Sequence, residues 1–415
     1  MPLPKWEEQN QRPMNLIPFS AQYLRLNEAL PFGVRDVSGR LLLSAGQTIT
    51  DSQQLTHLRS CELYADDKES SDWRRKLSAT VDAMIRQNAT LKNIAQARPN
   101  SDRTASTSDG GHSFSDQWAD ICAAHDGALR DARPGTDWIS RVLAVRQRAR
   151  RTAERRLDAS MCLLIWNAGQ SAEKYSSHHG LLCMLVAGEA ARLLGWTAET
   201  DTLEHAALTM NAAMTRLQDL LALKDAELTP DDRAEIATHP ERGAQLLRDS
   251  GVGDTLWCDI VRHHHDLGDT QTALVQLTPA RRLARLLRRV DSFTAQISRR
   301  ASRPPMSPVQ AARDACLTDK GTPDEIGGAL LKAMGLYPPG SYVELISGET
   351  AIVLARGRQA NQPVVASLVA PNGTPLGEPA LRDTVDRRFA VKGAVNVQLV
   401  KVRPPLERLL ARTLS

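Results

Sequence analysis

The chain has 415 residues, 42% of them hydrophobic and 24% charged, which is enough for two or three domains and at least one substantial core. The net charge of +4 is too slight to mark a nucleic-acid-binding protein, and no apolar run is long enough to span a bilayer. Six scattered cysteines form no CxxC pair, and the N-terminus lacks the apolar stretch of a secretory signal, so a reducing, cytoplasmic setting is expected.

In chain order, residues 1–94 form a first α+β unit. Leu30–Val37 and Arg40–Leu43 flank Ser38-Gly39 as a hairpin would. Thr50-Asp51-Ser52-Gln53 offers a capping box for a short helix through Leu58, and Trp73, Leu77, Val81, Met84 and Ile85 recur at helical spacing between Ser70 and Ala95. Residues 95–114 are rich in Ser, Thr, Asp and Gly with nothing to bury, and read as a flexible linker. Residues 115–336 are helical in pattern. Their arginine-rich stretches, seven arginines from Arg141 to Arg156 and five more between 281 and 289, read first as solvated helix faces. Pro338-Pro339-Gly340 stops the helices. Residues 337–415 then carry short β-type runs at Tyr342–Ile346, Ala351–Leu354 and Val364–Val369.

Ten histidines are present, and several fall where helices would carry them inward. His179 heads a helix whose stripe continues through Leu182, Val186 and Ala190. His239 precedes Pro240, expected between two helices, the first of which is capped by Thr229-Pro230-Asp231-Asp232. His263-His264-His265-Asp266 ends a further helix, and Asp291 lies one turn after Leu287 in another. Imidazoles and a carboxylate from separate helices are what a metal site in a helix bundle requires. The alternative is that they are hydrogen-bonded core histidines and helix-end caps.

The order of these elements resembles HD-GYP domains, the bacterial metal-dependent phosphodiesterases that hydrolyse cyclic di-GMP. The likeness runs from about Ala172 to Gly348. It is carried by His179 to Gly195, Ala206-Ala207-Leu208 through Asp219, Leu228-Thr229, His239-Pro240-Glu241-Arg242-Gly243, His264-His265-Asp266, Val290-Asp291-Ser292-Phe293, Arg303-Pro304, Ser307-Pro308, and Gly335-Leu336-Tyr337-Pro338-Pro339-Gly340. The resemblance implies a mainly α fold, an HD-GYP-like helical bundle with a small N-terminal α+β unit and a C-terminal β region. It implies metal ligation by His179, His239, His264, His265 and Asp291.

The sequence departs from the family pattern at its centre. Met210-Asn211 stand where His-Asp is expected, Met214 replaces the following Lys, and Leu267–Thr272 contain no Gly-Tyr-Pro. A thioether and a neutral amide cannot supply the anion that bridges two hard cations. The expected function is therefore a catalytically inactive member of cyclic di-GMP signalling that senses a ligand or binds an unidentified protein partner. The alternative is a cyclic di-GMP phosphodiesterase with a reduced metal site. The expected cofactor is one residual divalent transition metal, iron or manganese, or none. Cyclic di-GMP binding through the arginine-rich helices is a weaker reading, and homo-oligomerisation is left open.

Overall fold

The computed structural model describes residues 113–412 apart from 267–271 and 319, and before these residues 16–19, 33–37, 41–43, 49, 55, 56, 58 and 63–66. The chain divides into two units, Met1–Asp109 and Gly110–Ser415. No helix among the described residues is long and apolar enough to cross a membrane.

In the first unit, β1 (Leu16–Phe19), β2 (Val34–Arg35), β3 (Leu41–Leu43) and β4 (Leu63–Asp66) form an antiparallel sheet in the order β1-β4-β2-β3. Val34 pairs with Leu43 and with Ala65, so the expected β2–β3 pairing is present. Val34, Leu43, Ile49, Leu55, Leu58 and Leu63 close a small core, and Leu55, Thr56 and Leu58 are helical as the capping box suggested. The turn at Ser38-Gly39, the helix expected over 70–95 and the linker up to residue 112 lie outside the described residues.

The second unit is mainly helical, as expected. Its α1 (Phe114–Arg130) starts at Ser113, whose Oγ accepts from the Asp116 N–H at 3.1 Å. Then come α2 (Trp138–Ala153), α3 (Leu157–Gln170) and α4 (Tyr175–Leu193). α4 is the central helix: buried residues line almost its whole circumference, from Tyr175 to Ala191. α5 (Thr200–Thr209) and α6 (Thr215–Leu223) pack against it. α7 (Pro230–Asp249) packs on α8 (Thr255–His263), which rests on α5 and on α9 (Pro279–Ile297). α9 and α11 (Glu325–Met334) also pack against α4, and α10 (Pro308–Ala315) joins α9 to α11.

Part of the arginine-rich α2 is tied down by ion pairs. Arg146 and Arg150, with Arg192 of α4, converge on the fully buried carboxylate of Glu204 in α5. In the second basic stretch Arg281 pairs with Asp266, Arg282 with Glu199 and Arg289 with Asp324.

The C-terminal sheet is antiparallel in the order β8-β7-β6-β5-β9, built from β5 (Tyr342–Leu345), β6 (Thr350–Ala355), β7 (Val364–Val369), β8 (Pro375–Asp383) and β9 (Val391–Val395). Alternation puts Tyr342, Ile352, Leu354, Ala366 and Leu368 into the helical core, while Val343, Leu345, Ala351, Val353 and Val365 gather on the other face with Val309 and Tyr337. A final helix α12 (Leu406–Arg412) buries Leu406, Leu409 and Leu410 in the main core, and Glu407 accepts hydrogen bonds from the Phe114 and Ser115 N–H groups at 2.9 and 3.1 Å. Glu407 of α12 thus caps the start of α1.

Candidate metal centre

Thr229 caps α7 as the sequence suggests. Its Oγ1 accepts from the Asp232 N–H at 3.1 Å, and the Asp232 carboxylate accepts from the Thr229 N–H at 2.9 Å. The expected break at His239-Pro240 does not occur: α7 runs unbroken from Pro230 to Asp249 with Pro240 inside it. The reason lies in the side chain beside it. Pro240 has no N–H to give to the carbonyl four residues back, that of Ile236. The His239 ring takes that vacancy, with Nδ1 bonded to the Ile236 oxygen.

His264, just past the end of α8, repeats the arrangement with a helix-end carbonyl: its Nδ1 lies 2.6 Å from the Val261 oxygen. A carbonyl can only accept, so both Nδ1 atoms carry the ring proton. The two Nε2 atoms then present lone pairs, and they face each other at 3.1 Å. Both rings are fully buried. Burial pushes the His239 pKa down to about 4, with the Ile236 bond opposing and His265 assisting, and burial and then His265 push His264 down to about 3. At neutral pH both rings are therefore uncharged, and no proton holds the two nitrogens together. A shared cation satisfies both lone pairs; this is how the donor set fits a metal ion.

His265 adjoins them, its ring centroid 4.2 Å from that of His264 and 5.0 Å from that of His239. Nitrogens of His239, His264 and His265 all lie within 4.8 Å of one another. His179 Nε2 on α4 lies 2.7 Å from Asp291 Oδ1 on α9, and Cys183, four residues after His179, completes a second group within the same span. Burial opposes charge on Asp291, but the His179 hydrogen bond and the neighbouring His265 and His264 hold its carboxyl well below the usual range. Burial also opposes charge on His179, and the Cys183 sulfur and Asp291 outweigh it, raising its pKa well above the ordinary value. His179 Nδ1 is buried without a hydrogen-bond partner. The five residues singled out from the sequence thus fall into two groups, His239, His264 and His265 from α7 and the end of α8, and His179 with Asp291 from α4 and α9, with His265 and His264 near enough to act electrostatically on Asp291. Cys183 was not singled out, although its i,i+4 spacing from His179 places it on the same helix face.

Met210-Asn211 follow α5 in a short turn that abuts this centre. Gly243, one helical turn after His239, brings α7 so close that a Cβ there would lie 3.1 Å from Val261 Cγ1 and 3.5 Å from the Met210 oxygen. Met210 belongs to the main core, Met214 is buried, and Asn211 is buried with its Oδ1 unpartnered. His125, by contrast, sits between two carbonyls, those of Leu208 and Ser177 at 3.0 and 3.3 Å, and is a structural histidine.

No protein-family model matches the chain. Over 138 residues the chain is 28% identical to a cyclic di-GMP phosphodiesterase of Pseudomonas aeruginosa, covering 33% of either protein. The chain therefore matches about a third of that relative's length. A solved structure of an HDG"Y"P protein from Bdellovibrio bacteriovorus aligns with 77% of this chain and 99% of its own, at 14% identity and a TM-score of 0.41. Together with the ordered motifs from Ala172 to Gly348, the phosphodiesterase match makes this part of the chain similar to HD-GYP domains.

Proposed function

We propose that the chain is a signalling protein of cyclic di-GMP pathways whose HD-GYP-like domain holds one divalent transition metal, iron or manganese, without hydrolysing the dinucleotide, and acts through ligand sensing or a protein partner. The observation that carries the metal is the pair of buried Nε2 lone pairs of His239 and His264, 3.1 Å apart with both Nδ1 protons committed to carbonyls. His265 adds a third imidazole within 4.8 Å, and Asp291, held by its 2.7 Å hydrogen bond with His179 in the neighbouring group, supplies a nearby negative charge. Bound there, the ion supplies a Lewis-acidic centre.

The absence of hydrolysis follows from Met210, Asn211 and Met214. At the positions where the resemblance expects a ligating His, a bridging Asp and a phosphate-neutralising Lys, they place two thioethers and a neutral amide. Two cations at this centre would repel each other with no bridging anion between them. Met210 instead fills the core, a use to which its flexible side chain is suited.

The test is turnover of cyclic di-GMP by full-length protein loaded with manganese(II) or iron(II). The expected result is no linear product above the protein-free control. Turnover on the order of 1 s⁻¹ or faster, as enzymes show, would overturn the proposal and establish a reduced-site phosphodiesterase.

A further inference from the structure

A second site lies beyond the metal centre. The segment after α9 folds back on the end of α3, its Arg299 N–H donating to the Ala168 carbonyl at 2.8 Å. Arg300 and Arg303 pair across an isolated antiparallel bridge, which holds the two side chains as neighbours. Facing this loop is the segment from Val397 to Pro404, and the cleft between them has a volume of about 730 Å³. That is ample for a small ligand. Arg299, Arg300, Arg303, Lys401 and Arg403 line it, and no Asp or Glu does.

Three of these five cations have neutral partners. Arg300 donates to the Tyr175 hydroxyl at 2.7 Å, Arg303 donates to the Ala295 carbonyl at 2.7 Å, and Arg403 lies 5.6 Å over the Trp166 ring. Among the described residues none of the five forms an ion pair. Several half-buried arginines elsewhere in the unit meet carboxylates instead: Arg150 with Glu204, Arg289 with Asp324, Arg356 with Asp158. Burial first, and the neighbouring Arg300 second, push the Arg303 pKa down, as expected for like charges crowded without an anion.

We propose that this cleft binds a small anion carrying two or more phosphates, such as a nucleoside diphosphate or triphosphate. Five cations from two segments exceed what one carboxylate or one phosphate can neutralise, and guanidinium forks match phosphate oxygens in pairs. Arg300 ties the cleft to the metal centre. Its guanidinium bonds Tyr175, whose ring stacks on His179 at 5.6 Å and 17° between planes, and His179 bonds Asp291. The proposal does not depend on a bound metal or on cyclic di-GMP.

Calorimetry on the full chain, in chelator and at physiological ionic strength, tests it with inorganic pyrophosphate and with GTP as probes. The expected result is saturable binding of one molecule per chain, weakened about tenfold or more by either Lys401→Glu or Arg403→Glu. Both side chains are exposed, so neither reversal perturbs the core, and matched melting curves verify this. Three results overturn the proposal: no saturable heat with either probe at millimolar concentration, binding that both reversals leave intact, or displacement of pyrophosphate by a single-stranded RNA oligonucleotide that binds more tightly. Because chelator is present, none of these outcomes bears on the metal reading.

Discussion

Replacing Pro240 by alanine separates stability from metal binding and drives them in opposite directions. A proline inside a helix costs about 3 kcal/mol relative to alanine, so Pro240→Ala in the middle of α7 gains on that account. Pro240 is buried, and losing two ring methylenes costs about 1.6 kcal/mol at about 0.8 kcal/mol each. The net expectation is a gain on the order of 1 kcal/mol. The backbone N–H that alanine restores at this position, however, claims the Ile236 carbonyl, which His239 Nδ1 now holds. His239 is then free to rotate or to change tautomer, and its Nε2 lone pair is no longer fixed opposite that of His264. Losing such an orienting contact typically lowers metal affinity about 10–100-fold. Denaturant melts of the chelated protein and manganese titrations of the same preparation measure the two effects. A variant that gains stability and keeps its metal affinity would refute the account of why proline follows this histidine.

Three further perturbations test other parts of the structure. His239 and His264 are held neutral when folded and return to about 6.5 when unfolded, so the unfolded chain takes up protons first as pH falls and stability is lost below about pH 6.5. Each imidazole accounts for about 2 kcal/mol between pH 7.5 and 5, and His179, raised when folded, works in the opposite direction. In chelated His239→Gln the acid loss should be about 2 kcal/mol smaller than in the parent; an identical pH profile contradicts this. Glu204→Gln leaves three guanidiniums around a neutral amide and should cost about 3 kcal/mol or more in denaturant melts, whereas a cost under about 1 kcal/mol would make the network peripheral. Gly340 sits at φ 89° with a Cβ position 2.8 Å from the Cys162 carbonyl, so Gly340→Ala should lower stability by at least about 2 kcal/mol, and an unchanged melting temperature would contradict that packing.

Much of this architecture is legible in the residues, and the exceptions share a cause. The Thr229 cap, the helix ending at His263 and the strands at 342, 351 and 364 follow from local chemistry that needs no partner. His239-Pro240 reads locally as a break, because the donor that a side chain supplies to the Ile236 carbonyl is invisible in spacing alone. β8 and β9 escape notice because both are edge strands. β8 carries Pro375, Gly377 and Pro379 and alternates poorly, as an edge position tolerates. The seven-residue α12 is too short to show a period, and its leucines matter only because the bundle leaves a gap for them. For the metal centre, histidine spacing and order place the five residues on helices that converge. Cys183 needed only the i,i+4 rule, while the basic cleft joins segments about a hundred residues apart and has no local signature.

The central claim is a single metal ion held by the two facing imidazoles and their neighbours. It is tested most directly by titrating metal-free, full-length protein with manganese(II) and counting ions bound per chain. The account predicts one ion per chain, lost when His239 and His264 are both replaced by phenylalanine. Two ions per chain, or none, would contradict it.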